Sequence, residues 1–323
     1  MAETYTTPPM LGAPEQQQGP LNATRLAYIA ATAAGVLLAE KIGSSRWWNA
    51  SETRVGFVGD EPQGDVPEAW LVTPGFNTRS TKEHAEAIAP ALDTPVMDLE
   101  LPHQKPSLRG IRAAVNDTVD KHGIKTLNLD GHSMGGVLQA WIAGGLPPEV
   151  SIGDVIFDCS PTSHKDSKAD LTIVKALQAI GYSGGIATKA LGTGYHTLTR
   201  IGGPAGPTSV VEYLETVVKG LGPDRSSAIL CSWQSRLLLS AAPELTAGML
   251  ASRLGPNSRI GYIMPEPASR DDVVHVEQAA ETWERLLKRR VERIPVPGIL
   301  HASPNRFPRE YQEAIGEWRS TAA

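Results

Sequence analysis

Six residues of this chain, Gly131-His132-Ser133-Met134-Gly135-Gly136, follow directly on the apolar run Thr126-Leu127-Asn128-Leu129-Asp130. They form a G-x-S-x-G pattern, in which a serine is held on a sharp turn between a strand and a helix. Such a turn crowds its own backbone, so the residues two before and two after the serine must be tiny. Gly131 and Gly135 meet that demand, because without a Cβ they tolerate close approach and strained dihedrals. The run Gly136-Val137-Leu138-Gln139-Ala140-Trp141-Ile142-Ala143 reads as a helix. Its N-terminus aims backbone N–H groups and the positive end of the helix dipole at the serine. Small residues are common, so the bare pattern is weak; a strand before it and a helix after it make it strong. The competing reading is a glycine-rich loop with an incidental serine.

The same alternation runs along the chain. Residues Arg54 to Val58, Ala69 to Thr73, Pro95 to Leu101, Thr126 to Asp130 and Ile152 to Phe157 read as strands. Ser80 to Leu92 reads as a helix, with Ser80 as N-cap and Glu83 three residues later as in a capping box. Ser107 to His122 has helical spacing, with Ile111, Ala114, Val115 and Val119 on one face. Strands alternating with helices predict an α/β fold with a mostly parallel, doubly wound sheet. Right-handed crossovers place helices on both faces, and a site at the C-terminal edge of the strands. Ser133, Phe76 and Asp158 all follow strand ends, as that rule requires.

From about Pro161 to Gly255 the strand signals fade. Helical stretches (Ala169 to Ile180, Ser209 to Val218, and an apolar region from Ser226 to Leu254) alternate with Gly/Pro-rich loops. This predicts a helical cap insertion over residues 161–255, dividing the core into 54–160 and 256–319. The alternation resumes with a strand from Arg259 to Met264, a long helix from Val273 to Val291, a strand from Ile294 to Leu300 and a helix from Pro308 to Trp318.

Composition narrows the partners. The chain has 323 residues, 41% hydrophobic and 20% charged, which suits a globular protein with a sizeable core. A net charge of −5 without a basic stripe gives nucleic-acid binding no electrostatic support. The one dense basic run, Arg285 to Arg293, reads as a solvated face. Cys159 and Cys231 show no metal-ligand spacing and read as buried small apolar residues, a single disulfide between them staying open. Residues 1–20 read as a disordered tail rich in Thr, Pro and Gln. Leu26 to Ala39 is an uncharged apolar run of about 14 residues, where a spanning helix needs about 20. Within 21–45 we therefore expect a soluble or docked helix first, membrane association through residues 21–42 second, and a cleaved signal third. The expected location is cytoplasmic, or membrane-associated through that helix.

A serine hydroxyl is a weak nucleophile. It needs a base within hydrogen-bond reach, and the base needs an acid to orient it. His301 is the best base: it follows the apolar strand Ile294 to Leu300, near the end of the chain. Its competing reading is a surface histidine on a loop. His132 sits inside the turn itself, His84 and His122 fall in predicted helices, and His164 and His196 fall in the insertion. His103 follows a strand on the correct edge and is a candidate for substrate contact. Asp271 leads for the acid, with Asp272 and Asp158 as rivals; one of the Asp271-Asp272 pair reads as a helix N-cap. An oxyanion needs two N–H donors. Met134, the residue after the serine, offers one. Phe76, in the turn Gly75-Phe76-Asn77 after the strand ending at Thr73, offers the other, unless that turn faces solvent.

Taken together these residues resemble the α/β-hydrolase superfamily over about residues 54–319, as a serine esterase- or lipase-like member with a cap. Pro74-Gly75-Phe76 stands where that family often has His-Gly-x. Gly131-His132-Ser133-Met134-Gly135-Gly136 is similar to its esterase and lipase elbow. Asp271-Asp272-Val273-Val274 and Ile299-Leu300-His301 fit its acid and base positions. The resemblance implies Ser133 as nucleophile, His301 as base, Asp271 as acid, and Phe76 and Met134 as the oxyanion hole. It implies hydrolysis of an ester, thioester or amide in a small-molecule acyl substrate, with no metal or organic cofactor. No H-E-x-x-H, Walker A or strand-linked G-x-G-x-x-G sequence points elsewhere, and the loop Gly202 to Gly206 is only weak evidence for phosphate. Two rival functions stay open: an acyltransferase on the same triad, and a non-catalytic binding protein of the same fold.

Overall fold

The computed structural model describes residues 52–102, 106–168 and 228–321. Strands β1 (Arg54–Phe57), β2 (Glu68–Thr73), β3 (Val96–Glu100), β4 (Thr126–His132), β5 (Ser151–Asp158), β6 (Ile260–Glu266) and β7 (Glu292–Pro297) make one sheet. Their order is β1-β3-β2-β4-β5-β6-β7. β1 pairs antiparallel with β3, and every other neighbouring pair is parallel. The predicted α/β class with a mostly parallel, doubly wound sheet therefore holds. From β2 the chain crosses to β3 on one side, and from β4 it proceeds to β5, β6 and β7 on the other. The reversal lies between β2 and β4, and a crevice opens at such a switch point beyond the strand ends. Phe76 follows β2 and Ser133 follows β4, so the topology brings both to it.

Helices α1 (Lys82–Ile88), α2 (Leu108–Lys121), α3 (Gly135–Ala143), α4 (Ala228–Ser240), α5 (Pro243–Ala251), α6 (Val276–Leu287) and α7 (Pro308–Ser320) surround the sheet. A strand buried on both faces reads as a continuous apolar run, which is why β2 and β6 lack clear alternation. Successive side chains still divide between faces. Trp70, Val72 and Ile156 join one core with Ile88 of α1 and Tyr311, Ile315 and Trp318 of α7. Leu71, Leu129 and Phe157 join the other with Ile111 of α2, Val137 of α3 and Trp283 of α6. α5 packs against α3 and α6.

Three elements differ from the sequence reading in their bounds. The predicted capping box at Ser80 is absent: α1 starts at Lys82 with Thr81 at the N-cap and no side-chain cap bond. The Ser80 hydroxyl accepts from Lys82 N–H at 3.2 Å, and the Thr81 hydroxyl is taken by tertiary pairing. The Thr81 hydroxyl donates to the Val72 carbonyl at 3.0 Å and accepts from the Leu99 N–H at 3.0 Å, joining β2 to β3. The predicted helix from Val273 to Val291 is shorter at both ends. The Val273 and Val274 N–H groups both bond the Asp271 carboxylate, and the helix stops at a left-handed Lys288 with φ 53°. The last strand runs Glu292–Pro297 rather than to Leu300, and as a sheet edge it tolerates Pro295 and Pro297.

The apolar stretch 226–254 yields α4 and α5. Among the described residues no helix is long and apolar enough to cross a membrane. The N-terminal run 26–39, the predicted helices 169–180 and 209–218, the loop 202–206, His103 and His196 lie outside the described residues.

Candidate active site

β4 carries the chain through Gly131 and His132, and α3 begins at Gly135. Between them Ser133 has φ 51°, a left-handed conformation that a side chain disfavours. Backbone bonds on both sides hold it there: Ser133 N–H donates to the Asp158 carbonyl at 2.8 Å, and Gly136 N–H to the Ser133 carbonyl at 3.1 Å. The glycines are required by contact. A Cβ on Gly131 would lie 2.6 Å from the Gly136 Cα, and one on Gly135 would overlap the Thr73 carbonyl group.

The turn aims Ser133 Oγ at His301, whose Nε2 is 2.8 Å away. His301 stands beyond β7, after a turn at Gly298 with φ 79° and a fully buried Ile299. Its Nδ1 lies 2.8 Å from Oδ2 of Asp271. Asp271 is wholly buried, and its other oxygen accepts from Val273 and Val274 N–H at 2.8 Å each. Burial pushes the Asp271 carboxyl up. The His301 charge and hydrogen bond and the two backbone amides outweigh it, and its pKa lies below the usual carboxylate value. Burial pushes the His301 imidazole down, but Asp271, with Asp158 and Asp272 behind it, holds it above the ordinary histidine value. An ionised Asp271 fixes the proton of neutral His301 on Nδ1, leaving the Nε2 lone pair facing Ser133.

Of the three carboxylates considered for the acid, the structure brings Asp271 to His301. Asp272 is exposed. Asp158, at the end of β5, is buried and faces a different group of side chains. Its Oδ2 lies 3.3 Å from Nδ1 of His132, and it accepts from the Tyr311 hydroxyl at 3.1 and 3.3 Å. Burial raises its pKa to about 7. His132 in turn packs its ring on His84, with centroids 4.1 Å apart.

Met134 is buried beside Ser133, and Phe76 is half-buried in the turn after β2. Among the described residues neither backbone N–H has a hydrogen-bond acceptor. Cys159, Asp271 and His301 place potential metal-ligating atoms within 4.8 Å of one another. Two of the three already bond each other, and burial with the nearby carboxylates keeps the Cys159 thiol protonated.

No protein-family model matches the sequence, and no curated protein matches it. Solved structures do match. A carboxylesterase of the ammonia-oxidizing thaumarchaeon Nitrososphaera gargenis superposes with a TM-score of 0.56 at 12% identity, over 84% of this chain and 94% of that one. An alpha/beta hydrolase enzyme from a Medee basin deep-sea metagenome library gives 0.53 at 14% identity, over 83% and 94%. The chain has the α/β-hydrolase fold. A third α/β-hydrolase neighbour, the monoacylglycerol lipase of Paleococcus ferrophilus, gives 0.52 at 14% identity over 84% of this chain and 100% of that one.

One residue at the edge of this site escaped the sequence reading. Gln234 of α4 bonds the turn that carries Phe76. The available signal was a lone amide inside the apolar stretch Leu230 to Leu239, which periodicity alone assigns to packing.

Proposed function

We propose that this chain is a serine hydrolase that cleaves a carboxylic ester, thioester or amide of a small-molecule acyl substrate through an acyl-enzyme. One observation carries the reading: Ser133 Oγ, the two ring nitrogens of His301 and the Asp271 carboxylate form a continuous relay with both links at 2.8 Å. A fold hosts many chemistries, so the reading rests on this geometry rather than on likeness. The carboxylesterase and monoacylglycerol lipase among the structural neighbours favour an ester over the other two bonds.

In the proposed reaction Ser133 Oγ attacks the carbonyl carbon as its proton passes to Nε2 of His301. The oxygen of the tetrahedral intermediate becomes an anion facing the Phe76 and Met134 N–H groups, which stabilise it there. The bond to the leaving group then breaks, and the imidazolium returns the proton to the departing oxygen. Water enters, gives its proton to Nε2 and attacks the acyl carbon. A second collapse frees the acid and restores the Ser133 hydroxyl. Asp271 stays ionised and stabilises the imidazolium in both halves. Support for residues 161–255 as an insertion over the site comes from α4, whose Gln234 reaches the turn after β2.

The test is labelling of the full chain with a fluorophosphonate, alongside turnover of short p-nitrophenyl esters. Ser133→Ala is expected to abolish both while the protein stays folded. A folded wild-type protein that neither labels nor turns over overturns the proposal.

A further inference from the structure

The turn after β2 lies between two supports. On one side is the elbow: a Cβ on Gly75 would lie 2.8 Å from Cδ2 of His132 and 3.2 Å from Cβ of Ser133. The turn is therefore pressed onto the nucleophile. On the other side is Gln234, from α4 and far along the chain. Its side chain is fully buried. Its Oε1 accepts from Asn77 N–H at 3.0 Å, and its Nε2 donates to the Thr78 carbonyl at 3.0 Å and the Gly75 carbonyl at 3.2 Å. These bonds surround the peptide that carries Phe76 N–H. Within the turn there is one long backbone bond, Thr78 N–H to the Gly75 carbonyl at 3.3 Å, and Asn77 holds a left-handed φ of 59°. Such a turn has little of its own to fix it. α4 itself is anchored, since Leu230, Trp233 and Leu237 are buried in the main core.

We infer that Gln234 is a positioning residue for the oxyanion hole: it sets the direction of the Phe76 amide, so that α4 completes the catalytic geometry. The inference rests on the reading of Ser133 as an acylating nucleophile. The three bonds from Gln234 to the turn all end on backbone atoms, and its effect passes through the turn. An oxyanion donor acts when charge develops on the carbonyl oxygen, not when the substrate first binds. Loosening it therefore lowers kcat and leaves KM nearly unchanged.

The variants are Gln234→Met, which keeps the length and removes every hydrogen bond, and Gln234→Glu, which keeps the shape and the acceptor for Asn77. Removing an oxyanion donor outright costs about 100- to 1,000-fold, so misplacing one is expected to lower kcat ~10- to 100-fold in Gln234→Met. Gln234→Glu turns an oxygen towards the Gly75 and Thr78 carbonyls, so its kcat is expected to fall at least as far as that of Gln234→Met. Affinity for a trifluoromethyl ketone, which binds as an oxyanion adduct on the serine, should fall in step with kcat. KM, near-UV circular dichroism and melting temperature serve as the controls. A folded Gln234→Met with wild-type kcat and ketone affinity overturns the inference. So does a fall in activity that lies in KM while ketone affinity holds, because that marks general loosening. If Gln234→Met does not fold, Gln234→Glu decides by the same two readings. Absence of ester turnover and labelling in the wild type would defeat the proposed function instead, and is read before any variant.

Discussion

Replacing Asp271 with asparagine changes one atom and tests the whole relay. The oxygen that accepts from Val273 and Val274 at 2.8 Å each must remain an oxygen, because an amide nitrogen there would face two N–H donors. That fixes the side-chain orientation and puts the new NH2 where Oδ2 stood, 2.8 Å from Nδ1 of His301. A donor at that place demands a lone pair on Nδ1. The imidazole proton is then forced onto Nε2, where it points at Ser133 Oγ, and the base is lost while every heavy atom keeps its place. A wrong-tautomer substitution of this kind in a serine triad costs about 10,000-fold in kcat, or about 5 kcal/mol of transition-state stabilisation. Asp271 is fully buried and touches no substrate, so KM should move little. Steady-state hydrolysis of a p-nitrophenyl ester and the rate of fluorophosphonate labelling should fall together, with thermal melts confirming the fold. Asp158→Asn is the matched control and should keep kcat within about tenfold, because Asp158 meets His132 and Tyr311. The reasoning fails if Asp271→Asn stays within about tenfold of wild type, or if Asp158→Asn is the more damaging of the two.

Three other outcomes are expected. His301 acts as a base only when neutral, and Asp271 holds its pKa above 6.5, so the acid limb of kcat/KM should have its midpoint above pH 6.5; a midpoint at or below that value contradicts the assignment. The Asp158 carboxyl titrates at about 7 in the fold against 3.8 in the open chain, so the folded state holds its proton more tightly. Stability from this group is present at low pH and is lost as pH rises towards 7, by about 4 kcal/mol at most. Urea unfolding at pH 5 and pH 8 should show Asp158→Asn losing correspondingly less stability than wild type, and equal losses would refute it. Gly135→Ala drives a methyl into the Thr73 carbonyl, whose strand is paired to β4 at Gly131 and whose hydroxyl already bonds the Gly135 carbonyl at 2.9 Å. It should cost about 3 kcal/mol of stability or more and over about 100-fold in turnover; a wild-type urea midpoint and rate would show that the elbow can relax.

What was legible in the sequence follows from what is local. The strands and the turn at Ser133 are written in short apolar runs and paired glycines, and all but the last strand fall within a residue or two of where they were read. The capping box at Ser80 failed because Thr81 is recruited by Val72 and Leu99, partners nine and eighteen positions away that no local pattern announces. The start of α6 failed for a related reason: Asp271 captures the two amides that would have begun the helix, and it does so as part of the site. The chain alone ranks Asp271 ahead of Asp272 and Asp158 without separating them, since all three follow strands of the same sheet. Burial and the 2.8 Å contact with His301 separate them. Gln234 was illegible because its meaning lies in a turn 156 to 159 residues earlier.

These differences in origin leave the two halves of the site with different mechanical character. Ser133 is clamped by the sheet itself. Ser133 N–H bonds the end of β5, the Ser160 hydroxyl donates to the Gly131 carbonyl at 2.5 Å, and Gly135 is pressed on the end of β2. The unfavourable φ of Ser133 persists because three strands over-determine it, which is the condition under which backbone strain survives at a functional site. The turn that carries Phe76 meets the sheet again at Arg79, whose carbonyl accepts from Leu101 N–H at 2.8 Å. Between Gly75 and Thr78 it is held by a side chain on a helix outside the strand order, through bonds that all converge on one amide. Loss of sheet stability would therefore damage the Ser133 turn and the fold together. Loss of the Gln234 side chain alone would leave the sheet and the Ser133–His301 contact in place and would act on the turn that carries Phe76.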